Sequence, residues 1–286
     1  GEERALAMLA LVIPALLEDQ IEAALEHIDQ AIAILRTAEH GYYLVSAGAW
    51  SAYDADFLRK SAEDRMADLG HIEIQDVTTQ RGVFALAGPR SRELLVRLLR
   101  DADPAGALGN KRFPWLSAKD IELGMVPTVG IRVAYTGELG WELHHPIEMQ
   151  NHLFDRLIEA GEKHGMKLVG ARAQNWLRQE KSYRAFGTEL GRDATPLEAA
   201  LDRFVDLSKD FQGKQAMLDT GIRSVCVTLL IDGPSDTDPW GKEALVLDGD
   251  KIGRLTSGGY SVAFGKQIGM GYVRPDLATP GTKLQV

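Results

Sequence analysis

The segment Ala134-Tyr135-Thr136-Gly137-Glu138-Leu139-Gly140-Trp141-Glu142-Leu143 constrains the fold more than any other part of this chain. It reads as the centre of a hairpin. One strand enters from Val129 to Tyr135, a Gly-containing turn follows, and a second strand leaves from Trp141 to His144. β-favouring residues on both sides of a short Gly turn mark antiparallel pairing. A hairpin of this kind sets Tyr135 and Glu142 close together in space. A phenol face beside a carboxylate suits a flat heterocycle with an N–H edge, such as a pterin. The ring stacks, and the carboxylate accepts two parallel charge-assisted hydrogen bonds. The same pattern also describes a surface hairpin whose Tyr and Glu face solvent, and periodicity does not separate the two.

Composition removes several classes of function. The chain has 286 residues, 45% hydrophobic and 26% charged, enough to bury a large core and to hold two or three subdomains. Its net charge of −9 opposes nucleic-acid binding, which requires clustered Lys and Arg to displace counterions. The apolar run Ala5 to Leu17 is broken by Pro14, ends in Glu18-Asp19, and is too short to span a bilayer or to serve as a signal peptide. No membrane and no nucleic acid are therefore expected as partners. Cys226 is the only cysteine and sits in the apolar run Val225 to Ile231, so it reads as a buried small hydrophobe in a reducing compartment.

Periodicity organises the rest. Residues 5–35 read as helical, with Ile21, Ala24, Leu25 and Ile28 on one face. Tyr42 to Ser46 and Val83 to Leu86 are short β-rich runs, and Ser91 occupies an N-cap position for a helix running through Leu99. Helical spacing returns at Gln150 to Lys163 and over residues 170–186. After Ile222 the character changes to short β runs at Ser224 to Ile231, Ala244 to Leu247, Lys251 to Ser257 and Gly269 to Val273, as in a small barrel or sandwich. A boundary is placed near 221, giving segments 1–35, 36–221 and 222–286.

Several blocks, weak singly, occur in a specific order. They are Gly82 to Arg92; Tyr135 to Glu142; Arg172 to Lys181 with Tyr183-Arg184-Ala185-Phe186-Gly187; Thr195-Pro196-Leu197-Glu198-Ala199; Asp210-Phe211-Gln212-Gly213-Lys214; and Thr256-Ser257-Gly258-Gly259-Tyr260 with Gly271-Tyr272-Val273-Arg274-Pro275. In that order the chain resembles the aminomethyltransferase family, the glycine cleavage system T-protein and its relatives. It is most similar to the folate-binding region of dimethylglycine and sarcosine dehydrogenases, towards which Asp238-Pro239-Trp240-Gly241 leans. The resemblance covers residues 36–286 and implies an α+β, multi-lobed folate-binding fold with a C-terminal β-rich, barrel-like domain. Residues 1–35 diverge from it. Relatives have a longer N-terminal region and continue past Val286, so the resemblance implies part of a longer polypeptide.

The resemblance also implies site residues. The dehydrogenase branch points to Tyr135, Glu142 and His144 against the pterin, and the T-proteins point to Glu180. Glu180, flanked by Arg178 and Lys181, is equally compatible with a solvated helix carrying ordinary ion pairs. T-proteins use an Asp that stabilises developing cationic charge and moves a proton. Ungapped counting back from Arg36 puts Ala31 at that place and Asp29 two residues away, so Asp29 is the catalytic candidate. His144 and His145 are adjacent and on a strand face opposite sides, and no metal-ligand spacing occurs, so no metal is expected. Ser257-Gly258-Gly259-Tyr260 reads as a turn letting backbone approach a ligand or strand.

The implied function is tetrahydrofolate-dependent one-carbon transfer from a methylated amine or aminomethyl donor. Tetrahydrofolate is the expected cofactor. FAD is expected only if a separate N-terminal flavin domain or subunit exists, since no GxGxxG follows an early strand here. A free-standing folate-dependent O-, S- or N-demethylase and a non-catalytic folate-binding module remain as alternatives. A cytoplasmic location, or the mitochondrial matrix in a eukaryote, goes with these readings.

Overall fold

The computed structural model describes residues 7–12, 31–38, 41–46, 48, 51–70, 72–211, 213–233 and 238–286. They divide into two compact units, Gly1–Ala134 with Glu138–Lys167, and Tyr135–Gly137 with Leu168–Val286. Both mix helix and sheet, as the α+β class requires.

The first unit opens with strands β1 (Ala7–Val12), β2 (Ala31–Ala38) and β3 (Gly41–Ser46), helix α1 (Ser51–Leu69) and strand β4 (Glu73–Asp76). The four strands form an antiparallel sheet in the order β2-β3-β1-β4. This corrects the helical reading of residues 5–35, because Ala7–Val12 and Ala31–Ala38 are strands. Helix propensity is a weak prior, and both segments find ladder partners on the β-rich run Gly41–Ser46. The proposed face Ile21, Ala24, Leu25 and Ile28 lies outside the described residues, as does Asp29.

A second antiparallel sheet follows, built from β5 (Arg81–Ala87), β6 (Ala118–Leu123), β7 (Val126–Ile131) and β8 (Gly140–Pro146) in the order β5-β8-β7-β6. Helix α2 (Ser91–Leu98) lies between β5 and β6 in sequence, and α3 (Gln150–Glu162) follows β8. Ser91 is the first helical residue rather than the N-cap, which is Arg90. Its hydroxyl donates to the carbonyls of Gly88 and Leu139, 2.7 and 3.0 Å away. The pleat of β8 sends Trp141 and Leu143 into a core with Leu94, Leu95, Phe113 and Leu153. Complete burial of a side chain such as Leu143 contributes about 1.5–3 kcal/mol.

The expected hairpin forms between β7 and β8, with Ile131 opposite Glu142 and Val129 opposite His144. Its first strand stops at Ile131, so Tyr135 lies in the connecting loop and belongs to the second unit. Beyond Ile131 the chain keeps its pairing on the β6 side alone, where the Arg132 N–H donates to the Ser117 carbonyl at 2.9 Å. Gly140 restarts the ladder where any side chain would collide, since a Cβ would lie 2.6 Å from the Leu86 carbonyl oxygen.

The second unit holds α4 (Ala171–Glu180), α5 (Lys214–Thr220) and an antiparallel sheet of β9 (Val225–Ile231), β10 (Ala244–Leu247), β11 (Asp250–Ser261) and β12 (Lys266–Val273). Their order is β10-β11-β12-β9, and the β-rich character expected after Ile222 is realised there. Helix α4 ends earlier than residue 186. Ser182 adopts a φ of 55°, and the Tyr183 N–H closes back on the Arg178 carbonyl at 2.9 Å. Ser257-Gly258-Gly259-Tyr260 is continuous strand rather than a turn. Its glycines still serve close approach, because a Cβ on Gly259 would fall 2.1 Å from the Trp176 ring. Cys226 is buried, and burial pushes its thiol pKa up to about 11.

Glu198 ties the entry of this sheet to the preceding turns. It accepts from the Thr195 N–H at 2.8 Å and receives the Arg223 guanidinium on both oxygens at 2.8 and 3.0 Å. The Arg223 hydrogen bonds, opposed by burial and aided by backbone N–H groups, lower its carboxyl pKa from 4.5 to about 2. A depressed carboxyl contributes stability above its unfolded pKa, and the contribution fades as pH falls through the folded value. Unfolding midpoints in urea should therefore decline between pH 4.5 and about 2 partly through this group. Glu198→Gln should lower the midpoint at neutral pH and flatten that decline, and an unchanged slope would show that Glu198 is not the titrating group.

Candidate functional site

Strand β8 presents its second face through Glu142 and His144, two residues apart and therefore on the same side. The His144 ring is completely buried, whereas the Glu142 side chain keeps 19% of its surface exposed. His144 Nε2 stands 3.3 Å from Glu142 Oε2, and its Nδ1 stands 3.2 Å from the Tyr43 hydroxyl. A carboxylate only accepts, so the Nε2 carries the hydrogen and, in the neutral ring, Nδ1 accepts from Tyr43. The result is a file running Tyr43 O–H to His144 to Glu142. Burial, opposed by the Arg81 charge and aided by that of Glu142, pushes the Tyr43 phenol pKa up to about 12. Tyr43 thus stays a donor at neutral pH, holding the tautomer that aims Nε2–H at Glu142. The other Glu142 oxygen makes no hydrogen bond among the described residues.

His145 points the other way, as adjacent strand residues must. Its ring stacks on Phe84 with centroids 4.8 Å apart, and Nδ1 stands 2.9 Å from the Leu143 carbonyl. Burial lowers its pKa from 6.5, which keeps the ring neutral in the core.

In the second unit, Tyr135 keeps an exposed ring, stacked on Tyr183 with centroids 6.3 Å apart and planes inclined by 24°. Its hydroxyl donates to the Arg184 carbonyl at 2.9 Å, fixing the orientation of the ring. Glu180 ends α4, and its Oε1 accepts from the Ser261 hydroxyl at 2.6 Å and the Ala263 N–H at 3.2 Å. Glu180 therefore pins the turn leaving β11, which differs from the solvated ion pairing read from its neighbours. Arg178 turns inward instead and pairs with Glu189 at 2.7 Å, both side chains being fully buried.

Glu142 and His144 are thus brought together in the first unit, and Tyr135 and Glu180 are held in the second. Asp29 lies outside the described residues, and Ala31 is the first residue of β2. Sequence reasoning missed Tyr43 as the partner of His144. The signal was present in Tyr42 to Ser46 as a β run, but the pairing spans 101 residues and needs the fold.

With this geometry in hand, the family models decide the class. The GCVT N-terminal domain matches residues 27–209, and the glycine cleavage T-protein C-terminal barrel domain matches residues 223–286. The chain belongs to the glycine cleavage T-protein family. Among its relatives, the mitochondrial dimethylglycine dehydrogenase of Rattus norvegicus is 37% identical over 254 residues, covering 86% of this chain and 28% of that protein. An aminomethyltransferase of Natranaerobius thermophilus is 29% identical over 260 residues, covering 88% of this chain and 67% of its own length. The crystal structure of aminomethyltransferase T from Bartonella henselae superposes with a TM-score of 0.77 at 24% identity, over 98% of this chain and 79% of that one, a match of fold. The chain spans little more than a quarter of the dimethylglycine dehydrogenases it matches. Among the described residues, no helix is long and apolar enough to cross a membrane.

The file through His144 makes a direct prediction. Tyr43→Phe removes the donor to a buried ring nitrogen, which should cost about 1–3 kcal/mol of unfolding free energy. Urea titration measures it, and an unchanged midpoint would mean that Nδ1 has another partner in the folded state.

Proposed function

We propose that this chain binds tetrahydrofolate and serves one-carbon transfer, as an aminomethyltransferase or as the folate-binding part of a dimethylglycine or sarcosine dehydrogenase type enzyme. Family membership gives the class, and the aimed carboxylate of Glu142 is the observation that carries the reading to a site. Its partial exposure and single hydrogen bond to His144 leave acceptor capacity, and a pterin presents the N–H edge that such a carboxylate grips. Tyr135 supplies an oriented aromatic face suited to stacking. Residues 36–221 would form the folate-binding part and 222–286 the C-terminal β-rich part.

Bound tetrahydrofolate would supply the nitrogens that capture the transferred carbon. The residues of this chain bind, orient and move protons. Glu142 would hold the ring edge, with the buried His144 orienting its carboxylate; Tyr135 is the candidate stacking face, and Asp29 is the candidate proton carrier. Glu180 already accepts two hydrogen bonds through one oxygen, so its role is more structural than that of Glu142. The donor would be a methylated amine or an aminomethyl group. A flavin would act from a separate domain or subunit, because the likeness to dimethylglycine dehydrogenase covers only part of that protein. The sites of action would be the cytoplasm, or the matrix in a eukaryote.

Calorimetry with tetrahydrofolate tests the site. Glu142→Gln should weaken binding by about 1.5–3 kcal/mol, the range for hydrogen bonds to charged groups. Tyr135→Ala should cost about 1–3 kcal/mol if stacking acts as it does for other flat bases. A neutral Glu142→Gln beside a Glu180→Gln that folds and does not bind would move the grip to Glu180. For turnover, Asp29→Asn should slow methylene-tetrahydrofolate formation by about 10²–10⁴-fold with affinity retained. An unchanged rate removes Asp29 from the chemistry.

A further inference from the structure

Apart from the Glu142 file, the first unit holds two neighbouring arginines, Arg92 and Arg132, that have no carboxylate partner among the described residues. Arg132 Nη2 donates to Asn110 Oδ1 at 2.8 Å, and an Arg92 Nη2 donates to the same oxygen. Both guanidiniums also stand against the Trp141 ring, with Cζ 5.8 and 5.9 Å from its centroid. Two cations therefore share one neutral acceptor. The Nε atoms of Arg92 and Arg132 and the Nε1 of Trp141 are buried and make no hydrogen bond among the described residues. All three are donors. Burial, and then the charge of Arg92, lower the Arg132 pKa, which is the mark of a cation lacking its counter-ion.

Arg92 also lines a groove of about 620 Å³, within the size range of small-molecule sites. Arg97, Glu93 and His164 line it too, around an apolar wall that includes Pro89 and Val96. His164 has a side chain only 7% exposed. Its Nε2 accepts from Arg97 Nε at 2.9 Å, so the ring hydrogen sits on Nδ1, which makes no hydrogen bond. The one carboxylate on the wall is Glu93. It lies 3.4 Å from His164 Nδ1 and is already held by Arg90 Nε at 3.2 Å.

We propose that this groove binds a small organic anion, its carboxylate or phosphate group held by Arg92 with Arg97 and its apolar body lying against Pro89 and Val96. Charge-assisted bonds from guanidiniums match either head group, and an anion there relieves the repulsion between Arg92 and Arg132. This site is separate from Glu142 and does not depend on the folate reading.

Isothermal titration of the protein with sodium hexanoate, and separately with inorganic phosphate, at fixed ionic strength tests the assignment. Saturable binding of at least one probe is expected, weakened about tenfold or more by Arg92→Met and by Arg97→Gln. Arg97→Gln leaves the Trp141 stack intact, so it remains informative if Arg92→Met fails to fold. Tighter hexanoate binding assigns a carboxylate on an apolar chain, and tighter phosphate binding assigns a phosphoryl ligand. Absence of saturation with both probes, or binding indifferent to Arg97→Gln, overturns the proposal. Tetrahydrofolate affinity should be unchanged in Arg97→Gln, and its loss there would overturn the separateness of the two sites.

Discussion

Burial of the Arg178 guanidinium against Glu189 sets the geometry of the second unit. Both side chains are out of contact with water, and taking two such charges from solvent costs several kcal/mol each unless every donor and lone pair is matched. Here they are matched closely. Arg178 donates to Asn175, to the Tyr183 carbonyl, to Ser257 and to Glu189, and Glu189 accepts from Thr256, Thr188 and the Ala185 N–H as well. Burial opposes the charge on Glu189, yet Arg178 and these bonds hold its carboxyl below the usual range. The pair locks α4 to β11 in one register. That register puts Trp176 over Gly259, Gln179 on the Gly258 carbonyl and Glu180 on Ser261. The end of α4 that offers Glu180 is thus positioned by an ion pair two residues earlier.

The first unit reaches the same end with a strand. Because side chains alternate across β8, one seven-residue segment serves a hydrophobic core on one face and a polar file on the other. Trp141 and Leu143 anchor the strand, so Glu142 and His144 inherit its rigidity rather than that of a loop. The contrast with Tyr135 is instructive. It lies in a loop, and its orientation comes from Tyr183 and the Arg184 carbonyl, not from a ladder.

This division explains what was legible in the sequence. Short-range signals translated well: the β runs after Ile222, the helix over Gln150–Glu162 and the β7–β8 pairing all rest on local pattern. The opposite facing of His144 and His145 followed from a period of two. Readings failed where distant segments decide. The run Ala7–Val12 has helical composition, but it pairs with β3 and β4, strands that lie well beyond it in sequence. Ser257-Gly258-Gly259-Tyr260 has turn composition, yet Gly259 answers to Trp176 and Gly258 to Pro239, both outside its own strand. Neither Tyr43 beside His144 nor Glu189 beside Arg178 has a local signature, since each pair joins separate elements.

Net charge misleads for the same reason. A chain at −9 would seem to repel an anionic ligand, but exposed charges beyond about 8 Å are largely screened at physiological salt. What a ligand meets is the local balance. Many acids in this protein are matched in place: Glu198 by Arg223, Glu122 by Arg100, Asp103 by Arg112 and Glu189 by Arg178. Arg92, Arg97 and Arg132 meet an amide oxygen, an imidazole and a backbone carbonyl instead. Neutral acceptors satisfy hydrogen bonds without cancelling charge, so these three arginines keep theirs uncompensated by a carboxylate among the described residues of an acidic protein. The sign of a binding surface is therefore fixed by which cations lack carboxylates, a property of the fold that the summed composition conceals.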